Sequence, residues 1–323
     1  MSIFYLILLS PLILFFSFKI SKIFNVYDYP DNNRKIHNKP TLIVGGVFFQ
    51  LIILFFFILF FFLEKNNFLQ TMAINIDDHL LLLTTITLLF LLGYYDDKKN
   101  LRPILKLSLV FLIFLLSLIY FSDDYKLKKL ISFTNYVFYL DFNSIIFTSF
   151  CFVVLLNAIN MADGINSLSS NIFIIWIFFI NLFLPYDNFY YFMNIVLIFS
   201  LVLFSILNYK KLCFMGDAGC FVLVSYISFI TVFTYNLNIE DNAIYLNIES
   251  IFLLFMLPGL DMLRLFLKRS YKGKNPFIGD KDHFHHFLLN NFGNFKSLLI
   301  YNLLIIIPWL IYILFTSMLP YLI

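Results

Sequence analysis

Residues 41 to 63 read TLIVGGVFFQLIILFFFILFFFL, with no charged side chain in the run. A bilayer's hydrocarbon core takes about 20 apolar residues of α-helix, because only a helix bonds its own backbone polar groups where water is absent. This stretch is therefore a membrane span, and comparable runs lie at 3–18, 79–95, 104–121, 144–162, 168–185, 189–207, 219–236, 248–267 and 297–319. The pattern predicts an all-α polytopic bundle of about ten transmembrane helices, with residues 1–323 as a single integral membrane domain. A tight hairpin is expected around Pro185 to Asn188, and the chain has no internal repeat and no low-complexity linker.

Composition excludes a water-soluble fold. The chain is 61% hydrophobic and 13% charged, with 45 Phe and a mean hydropathy of +0.89, whereas soluble domains are about half apolar and a quarter charged. Met1 to Ile20 lacks a basic leading segment and is followed by further spans, so it reads as a retained first helix. Cys151, Cys213 and Cys220 show no paired spacing, which implies neither a disulfide framework nor a zinc site. A net charge of +3 gives no reason to expect a nucleic-acid partner.

The placement of charge is more informative than its sum. Numbering the connections in order, the odd ones carry Lys19, Lys22, Arg34, Lys35 and Lys39; Lys98, Lys99 and Arg102; Lys210 and Lys211; and Lys268, Arg269, Lys272, Lys274, Lys281 and Lys296. The even ones carry only Lys65, Lys126, Lys128 and Lys129, while Lys106 and Arg264 lie inside spans. The positive-inside rule then puts the odd connections in the cytoplasm and both termini outside.

Five polar clusters fall on that same face. Charge near membrane depth costs a few kcal/mol or more unless it has partners or a task. Tyr29 to Pro40 holds Arg34, Lys35, His37 and Lys39 ahead of Gly45-Gly46, where basic side chains beside a glycine pair could hold phosphate oxygens. Asp96-Asp97 follow Gly93 at a span's end, suited to binding Mg²⁺ or accepting a proton. Asn157, Asn160 and Asp163 recur every third residue, forming one slowly drifting polar stripe on a helix. Asp217, in Phe214-Met215-Gly216-Asp217-Ala218-Gly219, suits a metal ligand or an N-cap. Asp261 and Arg264, at i and i+3, suit an intramembrane ion pair. Beyond them, Asp280 and Asp282 precede His283, His285 and His286, whose imidazoles could bind a metal or donate to phosphate or sugar oxygens.

Taken in order, these segments resemble the polyprenyl-phosphate N-acetylhexosamine-1-phosphate transferases, which include undecaprenyl-phosphate N-acetylglucosamine-1-phosphate transferases and phospho-N-acetylmuramoyl-pentapeptide transferases. The carriers are Arg34-Lys35, His37 and Pro40 before Gly45-Gly46; Gly93 with Asp96-Asp97; Asn157, Asn160 and Asp163-Gly164; Phe214 to Asp217; and Asp282 to His286. The resemblance implies a bacterial plasma-membrane enzyme in which polyprenyl phosphate attacks the β-phosphorus of a UDP-N-acetylhexosamine and releases UMP, initiating a surface glycan such as O-antigen or teichoic acid. It implies Mg²⁺, with Mn²⁺ as a substitute, and is compatible with a homodimer. Asp217, Asp96, Asp97 and Asp163 would be the metal ligands, with Asp96 and Asp97 also serving deprotonation. Asn157, Asn160, Asp163 and Lys39 would line the donor site, Phe214 would stack on uracil, and His283, His285 and His286 would contact diphosphate or sugar. The spacing of those histidines is closer to the N-acetylglucosamine branch than to the pentapeptide branch, which has three in a row. Asn166 and Ser167 depart from the family's usual Asp and Gly, so any charged duty there is lost. A transporter for an anionic solute and an inactive lipid-binding scaffold are the alternatives from other classes.

Overall fold

The computed structural model of the chain describes residues 2–30, 39–63, 76–134, 136–240, 246–275 and 282–318. The expected roles of Arg34, Lys35, His37 and Asp280 fall outside them. Ten helices stand among the described residues: α1 (Ser2–Ile23), α2 (Gly45–Leu63), α3 (Ile76–Lys99), α4 (Pro103–Tyr120), α5 (Ser144–Ala162), α6 (Leu168–Asn181), α7 (Phe189–Tyr209), α8 (Gly216–Glu240), α9 (Ile248–Tyr271) and α10 (Phe284–Met318). Seven of them, α3, α4, α5 and α7 to α10, are long and apolar enough to cross a membrane, and α2 and α6 are shorter apolar helices. The chain is a multi-pass membrane protein.

The helices follow the expected runs with two differences that matter to the site. α3 continues to Lys99, which places Asp96 and Asp97 on its last turns. α10 starts at Phe284, well before 297, because it is two helical pieces joined at Gly293, whose φ of +73° is open to glycine at little cost. The histidines expected in a loop therefore sit at a helix start. Two short antiparallel ribbons were not foreseen: β1 (Tyr27–Asp28) with β2 (Thr41–Leu42), and β3 (Lys129–Ile131) with β4 (Val137–Tyr139).

α8 is the hub. It packs against α2, α3, α5 and α6, and 94% of its spanning window is buried against 22% for α4. A helix surrounded by protein need not be the most apolar. Thus α8 carries Thr231 and Thr234, whose hydroxyls donate to the carbonyls of Ile227 and Ile230 (both 2.7 Å). Its Tyr226 hydroxyl donates to Asn194 Oδ1 (2.6 Å), and Asn194 Nδ2 donates to Asn181 Oδ1 (3.0 Å), so a chain of hydrogen bonds ties α6, α7 and α8 together.

Small residues bring α2 and α3 onto the start of α8. A Cβ on Gly93 would lie 2.6 Å from Ala218 Cα, and one on Gly45 would lie 2.8 Å from Met215 Cα. One on Gly46 would overlap the Ala218 Cβ. The glycine pair is thus a packing surface against α8.

α9 is held differently. Pro258 has no N–H to donate to the carbonyl of Leu254, four residues earlier, and Trp176 Nε1 of α6 donates to that carbonyl at 2.9 Å.

Candidate active site

The site forms where α3, α4, α5 and α8 end or begin together. The chain enters α8 along a short strand-like contact: Phe214 N donates to Leu42 O (2.9 Å), and Val44 N and Gly45 N donate to Phe214 O (3.0 and 3.1 Å). Gly216 follows with φ +71°, and a Cβ on it would sit 2.8 Å from Asp97 Oδ2. The first amides of α8 then point at α3: Asp217 N donates to Asp97 Oδ1 (2.8 Å) and Ala218 N to Asp97 Oδ2 (3.1 Å). Asp97 thus caps α8 from a neighbouring helix and sits at the positive end of its dipole. Asp217 is not the N-cap, and its side chain points instead into the cluster beside it.

That cluster is centred on Lys106, in the first turns of α4. Its Nζ donates to Asp96 Oδ2 at 2.7 Å and also to Asp217 Oδ2. Asp96 Oδ1 accepts from Leu101 N at 2.6 Å. The Asn160 amide fits with its nitrogen donating to Asp217 Oδ1 (2.7 Å) and its oxygen accepting from Lys106 Nζ (3.0 Å). Two carboxylates thus share one ammonium in a cluster drawn from four helices, with the carboxylate of Asp97 held beside it by α8.

The polar stripe of α5 lines the next wall. Asn157 Nδ2 donates to Met262 Sδ (3.1 Å). Asp163 ends α5, and its Oδ1 accepts from Ser169 Oγ at 2.5 Å. Burial, helped by the charge of Asp28, pushes the Asp163 carboxyl up to about 6. Ser167 takes φ +69°, a left-handed backbone that favours glycine. Here it is held by Asn208 Oδ1, which accepts from Ser167 N, and by its own hydroxyl, which donates to Ser205 O at 2.8 Å. Asn166 lies beside it on the cavity wall.

The histidines close the opposite side. Asp261 pairs with Arg264 as expected (2.7 Å) and accepts from Phe284 N (3.2 Å), fastening the start of α10 to α9. Lys268 Nζ donates to Asp282 Oδ2 at 2.6 Å. His285 packs end-on against Gly164, where a Cβ would overlap its Nε2.

One cavity of about 790 Å³ gathers Asp96, Asp97, Asn157, Asn160, Asp163, Phe214, Asp217, His283, His285 and His286. Lys39 is exposed and does not line it. The cavity adds residues that carried no assigned role in the sequence: Lys106, Arg269, Asn208, Lys211 and Asp28. Lys106 and Arg269 had a visible signal, a cation inside or at the end of a span. On one side the lining turns apolar, with Phe150, Val153, Val154, Leu263 and Phe266. The donors around Lys106 are carboxylate and amide oxygens, a hard set suited to Mg²⁺ and poorly suited to softer ions.

Residues 79–235 match the family model for glycosyl transferase family 4. Over 222 residues the chain is 28% identical to the phospho-N-acetylmuramoyl-pentapeptide-transferase of Dictyoglomus turgidum, covering 64% of this chain and 66% of that protein. The enzyme of the same name from Dictyoglomus thermophilum is 28% identical, over 68% of this chain and 72% of its own length. The undecaprenyl-phosphate α-N-acetylglucosaminyl 1-phosphate transferase of Thermotoga maritima is 27% identical, over 66% of this chain and 62% of its own length. The chain thus spans about two thirds of the length of these curated relatives. Over residues 79–235 it resembles glycosyl transferase family 4, and the relatives it is similar to are transferases of phospho-N-acetylmuramoyl-pentapeptide or of N-acetylglucosaminyl 1-phosphate.

Proposed function

We propose that this enzyme transfers an N-acetylhexosamine 1-phosphate from its UDP-linked form to polyprenyl phosphate, releasing UMP, at the cytoplasmic face of a bacterial plasma membrane. One observation carries the reading. Carboxylates, amides, a lysine and three histidines from segments far apart in sequence line a single cavity with an apolar side wall. That wall suits a polyprenyl tail reaching the site from the bilayer, and the polar side suits a nucleoside diphosphate.

A phosphate attacking a diphosphate brings like charges together, so positioning and neutralisation dominate the barrier. Mg²⁺ held by Asp217 and Asp96, with Asp163 nearby, would supply that neutralisation, and Mn²⁺ carries the same preference for oxygen ligands. Asp97 has both oxygens engaged by α8 amides, which sets the Asp217 turn, and Asp96 has both engaged by Leu101 N and Lys106 Nζ, so proton acceptance from the lipid phosphate is assigned to the pair and not to one member of it. Lys106 orients both of the outer carboxylates and offers its charge to the diphosphate. Phe214 gives uracil an aromatic face, and the Asn166 amide oxygen can accept from the uracil N–H. Asn157, Asn160 and His286 would bind the donor's phosphates or sugar, with His283 and His285 behind them. Lys39, outside the cavity, would act only as part of the basic approach to it.

The test is purified protein in detergent with polyprenyl phosphate, Mg²⁺ and radiolabelled UDP-N-acetylglucosamine or UDP-N-acetylgalactosamine, followed for lipid labelling and UMP release. UDP-N-acetylmuramoyl-pentapeptide is a further arm, because two of the three relatives above carry that activity in their names. Asp217→Asn should insert normally and lose turnover. Absence of lipid labelling with every donor would refute the reading and leave the transporter and scaffold alternatives.

A further inference from the structure

Apart from the oxygen-lined cluster at Lys106, the cavity contains a group of different chemistry. Asp261 of α9 places Oδ2 3.1 Å from Nδ1 of His283. His285 stacks on His283 with ring centroids 5.2 Å apart and planes 15° from parallel. One ligand atom from each of these three residues lies within 4.8 Å of the others. His285 is 1% exposed, and neither of its ring nitrogens has a hydrogen-bond partner among the described residues. A buried imidazole with both nitrogens unanswered signals a bound species, since buried polar groups are otherwise satisfied.

The donor set identifies the species. Two imidazoles and one carboxylate form a mixed nitrogen–oxygen set that suits Zn²⁺ or Co²⁺ and that Mg²⁺, which favours oxygen and retained water, does not prefer. Ligands at about 2.0–2.1 Å from a tetrahedral ion stand roughly 3.3 Å apart, close to the separation already present between Asp261 and His283. The other oxygen of Asp261 accepts from Arg264 Nη2 at 2.7 Å, an outer contact of the kind that orients a ligating carboxylate. His285 must swing its ring slightly to complete the set, and Gly164 is what leaves the space for that ring. His283 and His285 line the cavity, so a fourth position remains for water or a donor oxygen.

We propose that Asp261, His283 and His285 form a second cation site, selective for a Zn²⁺-class ion over Mg²⁺ and separate from the Asp96–Asp217 cluster. It joins α9 to the start of α10 and stands independently of the transfer reading, because its readout is metal binding. Of the chain's five histidines, His79 lies at the opposite end of α3 from Asp96 and His37 is outside the described residues, so background binding is testable with few variants.

The experiment uses the full-length protein, stripped with a chelator, held in saturating Mg²⁺ and titrated with Co²⁺ as the probe. The expected result is one Co²⁺ per chain with the intense visible bands of a four-coordinate ion. Those bands should persist in about a hundredfold excess of Mg²⁺ and be displaced by Zn²⁺. His285→Gln and His283→Gln should each weaken binding tenfold or more while the protein elutes and melts like the wild type, and Asp217→Asn should leave it unchanged. No Co²⁺ bands, or bands lost in Asp217→Asn and kept in His285→Gln, would overturn the proposal.

Discussion

Replacing Asp97 by Asn separates two roles that the sequence left entangled. A metal ligand or base crowded by Asp96 and Asp217 should stabilise the metal-free fold when its charge is removed, since repulsion falls. A cap should do the reverse. In the structure both oxygens of Asp97 accept from backbone amides of α8, at 2.8 and 3.1 Å. Asn keeps one acceptor and turns an NH₂ toward the second amide. A lost bond to a charged acceptor is worth about 1.5–3 kcal/mol, and the lost interaction with the helix dipole about 0.3–1 kcal/mol. Charge relief offsets part of this, so the expected net destabilisation is about 2 kcal/mol, a roughly 30-fold shift of the unfolding equilibrium. Asp217→Asn removes the same charge with no amide cap lost, but with it goes the ion pair to Lys106, so the wild type is the reference. The assay is unfolding in SDS–detergent mixtures with EDTA and no substrate. An Asp97→Asn protein as stable as the wild type, or more stable, would refute the capping role.

Three further outcomes follow from particular contacts. Gly164→Ala keeps an ordinary backbone but puts a methyl into overlap with His285 Nε2; an overpacking cost of about 1–3 kcal/mol predicts a lowered melting temperature together with weaker donor binding, read as a raised KM. Trp176→Phe leaves the Leu254 carbonyl without a donor and should cost about 1–3 kcal/mol. The loss should shrink in a Pro258→Ala background, which restores a backbone N–H able to donate to that carbonyl, and a double-mutant cycle without coupling would contradict the assignment. Asp163, raised to about 6 by burial, binds a proton in the folded chain that the unfolded chain has released. The contribution of Asp163 to metal-free stability should therefore fall by on the order of 1–2 kcal/mol as pH rises from about 4 to 6. Asp163→Asn should flatten that fall, as followed by pH-dependent unfolding.

What could be read from the chain alone divides by distance along it. Spans were legible because each is a local run long enough to cross a bilayer, and the site's face was legible because charge at membrane depth must be explained where it stands. Roles set by a partner far away in sequence were not. Successive helix residues point about 100° apart, so Asp96 and Asp97, identical in type, meet different neighbours: Lys106 with Leu101 N for one, the start of α8 for the other. Nothing local to either residue states which is which. Lys106 looked like a stray cation in a span because its acceptor Asp217 is 111 positions on. Nothing local to Gly45, Gly46 and Gly93 states their task, which lies in Met215 and Ala218, against which no side chain would fit. The same holds for Trp176, whose indole is explained only by a proline in another helix. The polar and small residues of a membrane bundle therefore acquire their function through pairing across helices, and that pairing is what brings four of the five motifs into one cavity.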